Sequence, residues 1–248
     1  MKGLTVIYRR ELAGLFVTPL GWVLFLLAVV LKGIFITLYL QLHQGAVNPA
    51  LRADLGDGIQ YWLLMALLPP LLTMRMLSEE SRSGMLEFLL TAPVTDAAVV
   101  LGKVLAATTF MVLLWSTVIV YALTFEFLGA PPDWGQVWAG LVGSVLVSAL
   151  FCSIGMAVSA VVNAPILAAF LAFLANVGVL TLSFVVPILL GPSYRQMEPV
   201  LDKVAVAQNL AGSFLRGVFD SSNAVFFVAW TLVFLVLATR ILEARRWW

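Results

Sequence analysis

Few residues in this chain are of types that could do chemistry, and their spacing rules most of it out. His43 is the single histidine and Cys152 the single cysteine, which excludes a His-rich metal site, a thiolate cluster and a disulfide framework. No HExxH or GxSxG stretch occurs, and no serine, histidine and carboxylate are placed to converge as a triad. Gly102-Lys103 looks like the end of a phosphate-binding loop. The G-x-x-x-x-G-K-[ST] spacing fails, however, because Ala97 stands at the first glycine and Val104 replaces the hydroxyl. No hydrolysis of ATP by that route follows, and the chain is read as not itself catalytic, with no metal or cofactor of its own.

What remains is charge in unusual places. The stretch Met74–Lys103 lies between two long apolar runs and contains four of the thirteen acidic residues, Glu79, Glu80, Glu87 and Asp96. At helical spacing Glu80, Gly84, Glu87 and Thr91 share one edge, and Met85, Leu86, Phe88, Leu89 and Leu90 take the other. A short amphipathic helix over 78–92 is expected, lying on a membrane face with its carboxylates toward water. Pro93 ends it, since the residue before a proline leaves the helical region, and Thr95 and Asp96 offer caps to the next helix. Such an edge is ordinarily just solvated. Two carboxylates around a glycine also suit a basic partner that approaches closely.

The rest of the chain must position that stretch in a bilayer. It is 62% hydrophobic and 11% charged, with a mean hydropathy of +1.04, a balance that cannot cover a water-soluble domain. The net charge of +1 and the lack of a basic stripe give no support to nucleic-acid binding. Residues 1–16 place Leu4, Ile7, Tyr8, Leu12 and Leu15 on one stripe, interrupted by Glu11, with Lys2, Arg9 and Arg10 turned away. An interfacial helix is expected there.

Apolar runs long enough to span the hydrocarbon follow at 20–42, 59–77, 97–127, 138–162, 166–190 and 224–241. An all-α integral membrane protein with six transmembrane helices is therefore expected, as one domain over 1–248. His43–Gly58 reads as a short loop. The 97–127 run exceeds what a bilayer requires, so it must tilt or stand proud of the membrane. The segment 193–223 carries enough apolar residues to fold back on the far surface as short helices. Lys32 and Asn176 fall inside spans and belong either to a translocation path or to a helix interface; Lys32 has the further option of snorkelling outward. Gly140, Ser144, Ser148 and Cys152 recur every four residues, a seam of small side chains for close helix packing. Nine lysines and arginines fall on the side of the termini and the Met74–Lys103 stretch, and four, Arg52, Arg195, Lys203 and Arg216, on the other. The positive-inside rule then puts both termini in the cytoplasm.

The run RMLSEESRSGMLEFLLTAPVTDAAVVLGK resembles the cytoplasmic signature of ABC-2-type permeases, the membrane subunits of one class of ABC transporter, and most resembles the gliding-motility and nitrous-oxide-reductase-maturation branch. The residues that carry this are Arg75, Glu79, Glu80, Gly84, Glu87, Leu89, Leu90, Thr91, Pro93, Leu101, Gly102 and Lys103. N-terminal YRREL and the C-terminal FLRGVFDSSNAVFF and LEARRWW extend it over the chain, although Gln208-Asn209 stands where that branch often has a His-Phe pair. The resemblance implies a bacterial cytoplasmic (inner) membrane protein paired with a second permease copy or a similar permease. It also implies two copies of an ABC ATPase subunit that carry the ATP and Mg²⁺, with room for an extracytoplasmic auxiliary subunit. Arg75, Glu79, Glu80, Gly84, Glu87, Thr91 and Pro93 become the expected ATPase-coupling residues. The function implied is export or movement of a substrate. The alternative is transmission of ATP-driven motion to an extracytoplasmic partner with nothing crossing.

Overall fold

The computed structural model describes residues 2–83, 94–190 and 205–245, all helix, turn or connecting chain with no strand among them. Gly84, Glu87, Thr91 and Pro93 of the expected coupling helix lie outside the described residues, as does 193–204 of the far-side segment.

Helix α1 (Lys2–Val17) stops where Thr18 is forced to an extended conformation (φ −77°, ψ 138°) by Pro19, which then opens α2 (Pro19–Leu42) at its first turn. α2 ends as Gln44 and Gly45 turn left-handed (φ 54° and 86°), and the Gly45 N–H caps the Leu40 carbonyl at 2.7 Å.

The expected loop 43–58 is largely helical instead. α3 (Val47–Arg52) runs into a wide π-type turn, Ala53–Asp57, whose Ala53, Asp54, Leu55 and Gly56 are all buried. Gly56 has a φ of 155°, and a Cβ there would lie 2.6 Å from Leu210, so only glycine fits. The turn is held by Gln60 Nε2 donating to the Ala53 carbonyl (2.9 Å) and Trp62 Nε1 to the Gly56 carbonyl (2.8 Å). This stretch leads into α4 (Ile59–Thr73), which contains Pro69 and Pro70, and α5 (Ser78–Arg82).

The long 97–127 run is broken. α6 (Asp96–Trp115), capped by Thr95, and α7 (Thr117–Phe127) meet at Ser116. There the Ser116 hydroxyl donates to the Leu113 carbonyl and the Thr117 hydroxyl to the Leu114 carbonyl, both at 2.7 Å, a back-bonding pattern that bends helices. α8 (Trp134–Val161) is capped by Asp133 and turns through Asn163 into α9 (Pro165–Leu190). Within the far-side segment, α10 (Val206–Gly212) and a 3₁₀ turn (Phe214–Arg216) bury Leu210, Phe214 and Leu215, and α11 (Ser221–Arg245) completes the bundle.

Among the described residues, five stretches are long and apolar enough to cross a membrane: Pro19–Leu42, Val47–Arg82, Asp96–Phe127, Trp134–Val161 and Ser221–Arg245. The second begins twelve residues before the expected span at 59, because the π-type turn packs inside the bundle. α8 is the central column: Gly143, Val147, Phe151 and Cys152 along it are buried. By contrast α2 exposes Val23, Leu26, Val30 and Ile34 on its outer face.

Candidate functional site

At the end of the bundle where α1, α5, the start of α6, the 162–164 turn and the end of α11 gather, charged side chains form a connected network. Lys103, fully buried on α6, donates to Glu11 Oε1 of α1 at 3.0 Å and to Glu80 Oε1 of α5 at 2.8 Å. Arg10 closes the square with 2.7 Å bonds to the same two oxygens. Burial pushes the Glu11 carboxyl up, but the Lys103 charge and the bonds from Arg10 and Lys103 more than offset this and hold it below the ordinary carboxylate range. The hydrogen bond that Arg10 donates to Glu11 leads the reasons that its guanidinium is raised.

Gly102 explains why α1 can reach this far. A Cβ at Gly102 would lie 3.1 Å from Ile7 and 3.2 Å from the Leu4 carbonyl, so the glycine gives α1 a bed on α6 while the next residue supplies the cation. The Gly-Lys pair that fails as a phosphate loop is thus the docking point of the first helix. Tyr8 and Thr109 hydroxyls meet beside it at 3.1 Å.

α5 is also fastened on its other sides. The Leu77 and Ser78 N–H groups donate to Ser159 Oγ of α8 at 3.3 and 3.2 Å. Ser81 Oγ donates to Asn163 Oδ1 (3.0 Å), and Arg245 of α11 donates to Ser81 Oγ (2.6 Å) and to the Val161 carbonyl (2.8 Å). Of the expected coupling residues, Glu80 therefore faces inward, with its side chain 14% exposed. Arg75 and Glu79 face out, 55% and 56% exposed and paired at 3.8 Å. The expectation that this edge faces water is overturned at Glu80, because Arg10 and Lys103 stand opposite it.

The small-residue seam lies along α4 and the turn before it, in parallel order. A Cβ at Gly140 would come 2.7 Å from Leu55, and Ser144 Oγ donates to the Leu55 carbonyl at 3.3 Å. Ser148 Oγ accepts from Trp115 Nε1 (3.1 Å) and touches Met65 Sδ (3.7 Å). A Cβ at Gly155 would come 2.3 Å from Thr73 Oγ1, and Ser159 meets the start of α5. Cys152 is a buried free thiol in the same column.

Lys32 does not snorkel. It is fully buried, 3.1 Å from Asp54 Oδ2, which is itself fully buried. Its Nζ donates to Thr117 Oγ1 at 2.9 Å and reaches the Leu114 carbonyl at 3.4 Å, the carbonyl at the α6–α7 break. It also stands 4.6 Å over the Trp115 ring, which packs on Tyr61. One ammonium thus ties α2, the π-type turn and the bend in the third span. Asp54 was legible only as a loop carboxylate. The signal that could have found it is general: an ionisable group inside an apolar run requires a counter-charge, and Asp54 is the first acid that follows Lys32 in the chain. The same reasoning applies to Glu11, which interrupts the α1 stripe, and Lys103. Asn176 is buried on α9, and neither of its amide atoms has a hydrogen-bond partner among the described residues.

The sequence model of the family described as ABC-2 family transporter protein matches residues 6–247. A search of curated proteins finds no match to the chain.

Proposed function

Because this chain belongs to the ABC-2 family of transporter proteins, whose multi-pass membrane subunits are generally non-catalytic and work with an ABC ATPase subunit, we propose that it is a permease subunit driven through the elbow that begins at α5. In this reading Pro165–Leu190 is the sixth span beside the five stretches above. Both termini and the elbow face the cytoplasm of the bacterial inner membrane. Two ATPase subunits, which hold the ATP and Mg²⁺, act on a pair of permeases, and the motif residues of the elbow follow the gliding-motility-like branch.

The observation that carries this is the fastening of α5. A single five-residue helix is bonded to α1 and α6 through Glu80, to α8 through Ser159, and to the 162–164 turn and α11 through Ser81. Displacement of the elbow by an ATPase is therefore delivered to most of the bundle at once, while exposed Glu79 and Arg75 remain free to meet the partner. The test is Glu79→Lys with Glu87→Lys in the co-expressed complex. Loss of permease-stimulated ATP hydrolysis or of co-purification is expected. Full retention of both refutes coupling at this elbow.

A second reading, transmission of motion without transport, is favoured by one observation. α8 runs without interruption from the elbow at Ser159 to the far-side segment, where Gln136 Nε2 donates to the Leu215 carbonyl at 2.6 Å. A Cβ at Gly143 would lie 2.5 Å from Leu210. Movement at one end of α8 therefore reaches a surface on which an extracytoplasmic partner could sit. Lys32→Leu alone does not separate the two readings, since it strands Asp54 in either case. The doubly neutral Lys32→Met/Asp54→Asn variant separates them, because only a path that uses the charges loses activity.

A further inference from the structure

The angle between α1 and α2 encloses a cavity of about 420 Å³, closed on its far side by the end of α4 and by α5. Leu20, Leu24, Leu71 and Leu72 make its wall apolar, while Arg75 and Glu79 stand at its rim. Those two are each more than half exposed and hold one another at only 3.8 Å, so a ligand can reach both. Beside the cavity, α2 presents Val23, Leu26 and Leu27 outward, each at least half exposed.

We propose that this cavity binds one phospholipid bearing a primary ammonium headgroup, of the ethanolamine class, from the leaflet along which α1 lies. An apolar wall leading to a charged rim at the end of a membrane span is the profile of a lipid at the headgroup boundary. The volume takes a headgroup, glycerol and the first methylenes, and the acyl chains leave along the outer face of α2.

The charges select the headgroup. Arg10 and Arg75 of the lining stand against Glu11, Glu79 and Glu80, with Arg10 already bonded to Glu11 and Glu80. An anionic headgroup would meet more carboxylates than cations. A zwitterion satisfies both rim residues, its phosphate on the Arg75 guanidinium and its ammonium on the Glu79 carboxylate. The ammonium must carry N–H donors to do so, which a trimethylated choline lacks. Arg75 and Glu79 also serve the ATPase in the coupling reading, so the lipid occupies them in the free subunit, and lipid retention by the chain alone neither needs nor tests the ATPase.

The experiment uses the full chain in nanodiscs of equal parts phosphatidylethanolamine, phosphatidylcholine and phosphatidylglycerol, followed by detergent stripping and native mass spectrometry of the lipid retained. Phosphatidylethanolamine is expected to be retained over each of the others by roughly tenfold or more, and Arg75→Gln/Glu79→Gln to remove that preference. Both side chains are exposed, so an unchanged thermal unfolding temperature should accompany the loss. Equal retention of the choline lipid, preference for the glycerol lipid, or a preference that survives the double substitution each overturns the proposal. So does displacement of the lipid by soluble O-phosphoethanolamine, which would make the site one for a free headgroup, and so does occupation of the cavity by a second copy of the chain, seen by cross-linking.

Discussion

Asp54→Asn removes one charge from the buried pair while keeping the shape of the side chain, and its cost can be worked from the geometry. At the observed Nζ–Oδ2 distance of 3.1 Å, two unit charges attract by about 5 kcal/mol at an effective dielectric of ~20. Each ion has also lost several kcal/mol of hydration on burial, so the intact pair contributes little net stability compared with an apolar pair of the same size. Breaking it is different. Lys32 would keep Thr117 and the Leu114 carbonyl but would have no counter-charge, and a loss of about 3–5 kcal/mol is expected. Lys32→Met alone should cost a similar amount by stranding Asp54. The double variant Lys32→Met/Asp54→Asn buries no charge and should return to the parent stability or exceed it. The assay is reversible unfolding in mixed micelles followed by far-ultraviolet circular dichroism, as a double-mutant cycle. Single losses under ~1 kcal/mol, or a double loss equal to the sum of the singles, would refute the reasoning.

Two further outcomes are expected. Glu11 titrates below the ordinary glutamate range in the folded chain, so its contribution is fully present above the unfolded value and is lost as pH falls through the lower, folded one. Stability of the detergent-solubilised protein should therefore drop on the acid side of the carboxylate range, with a shallower slope in Glu11→Gln; identical slopes would argue against the network. Gly155→Ala places a Cβ 2.3 Å from Thr73 Oγ1 and forces Thr73 to give up its 2.8 Å bond to the Pro69 carbonyl, for a loss of about 1–3 kcal/mol. Gly178→Ala, with nothing within 4 Å, is the control and should leave the unfolding midpoint unchanged or raise it.

The sequence was most readable where a single element carries its own signal. The Thr18-Pro19 boundary follows from proline stereochemistry, and the four-residue rhythm from Gly140 to Cys152 points to a close-packing face before any partner is known. It was least readable where the decisive contact is distant. The stretch from His43 to Gly58 contains the glycines, proline and aspartates of a loop, and only burial against Leu210 and α8 makes it helical. The break at Ser116 has no proline or glycine to announce it, because it comes from two hydroxyls bonding back and from an ammonium delivered by α2. Glu80 and Glu79 are neighbours in the sequence, yet one meets Lys103 and the other water. Periodicity distinguishes the sides of a helix, but what lies opposite each side is decided by the assembled bundle.

The alignment of α8 with α4 limits how this protein can move. Serines and glycines bring the two backbones together, and hydroxyl contacts at Leu55, Met65 and Ser78 act as index marks along their length. A one-residue slip would break every mark together, so axial sliding between these two helices is blocked and the pair travels as a single rod. Mechanical freedom is left to the thinly covered helices at the periphery, α2 above all, whose chief polar anchor is the Lys32 ammonium. Distance labels on α4 and α8 should thus report a constant separation through a working cycle, while a label on α2 records the stroke.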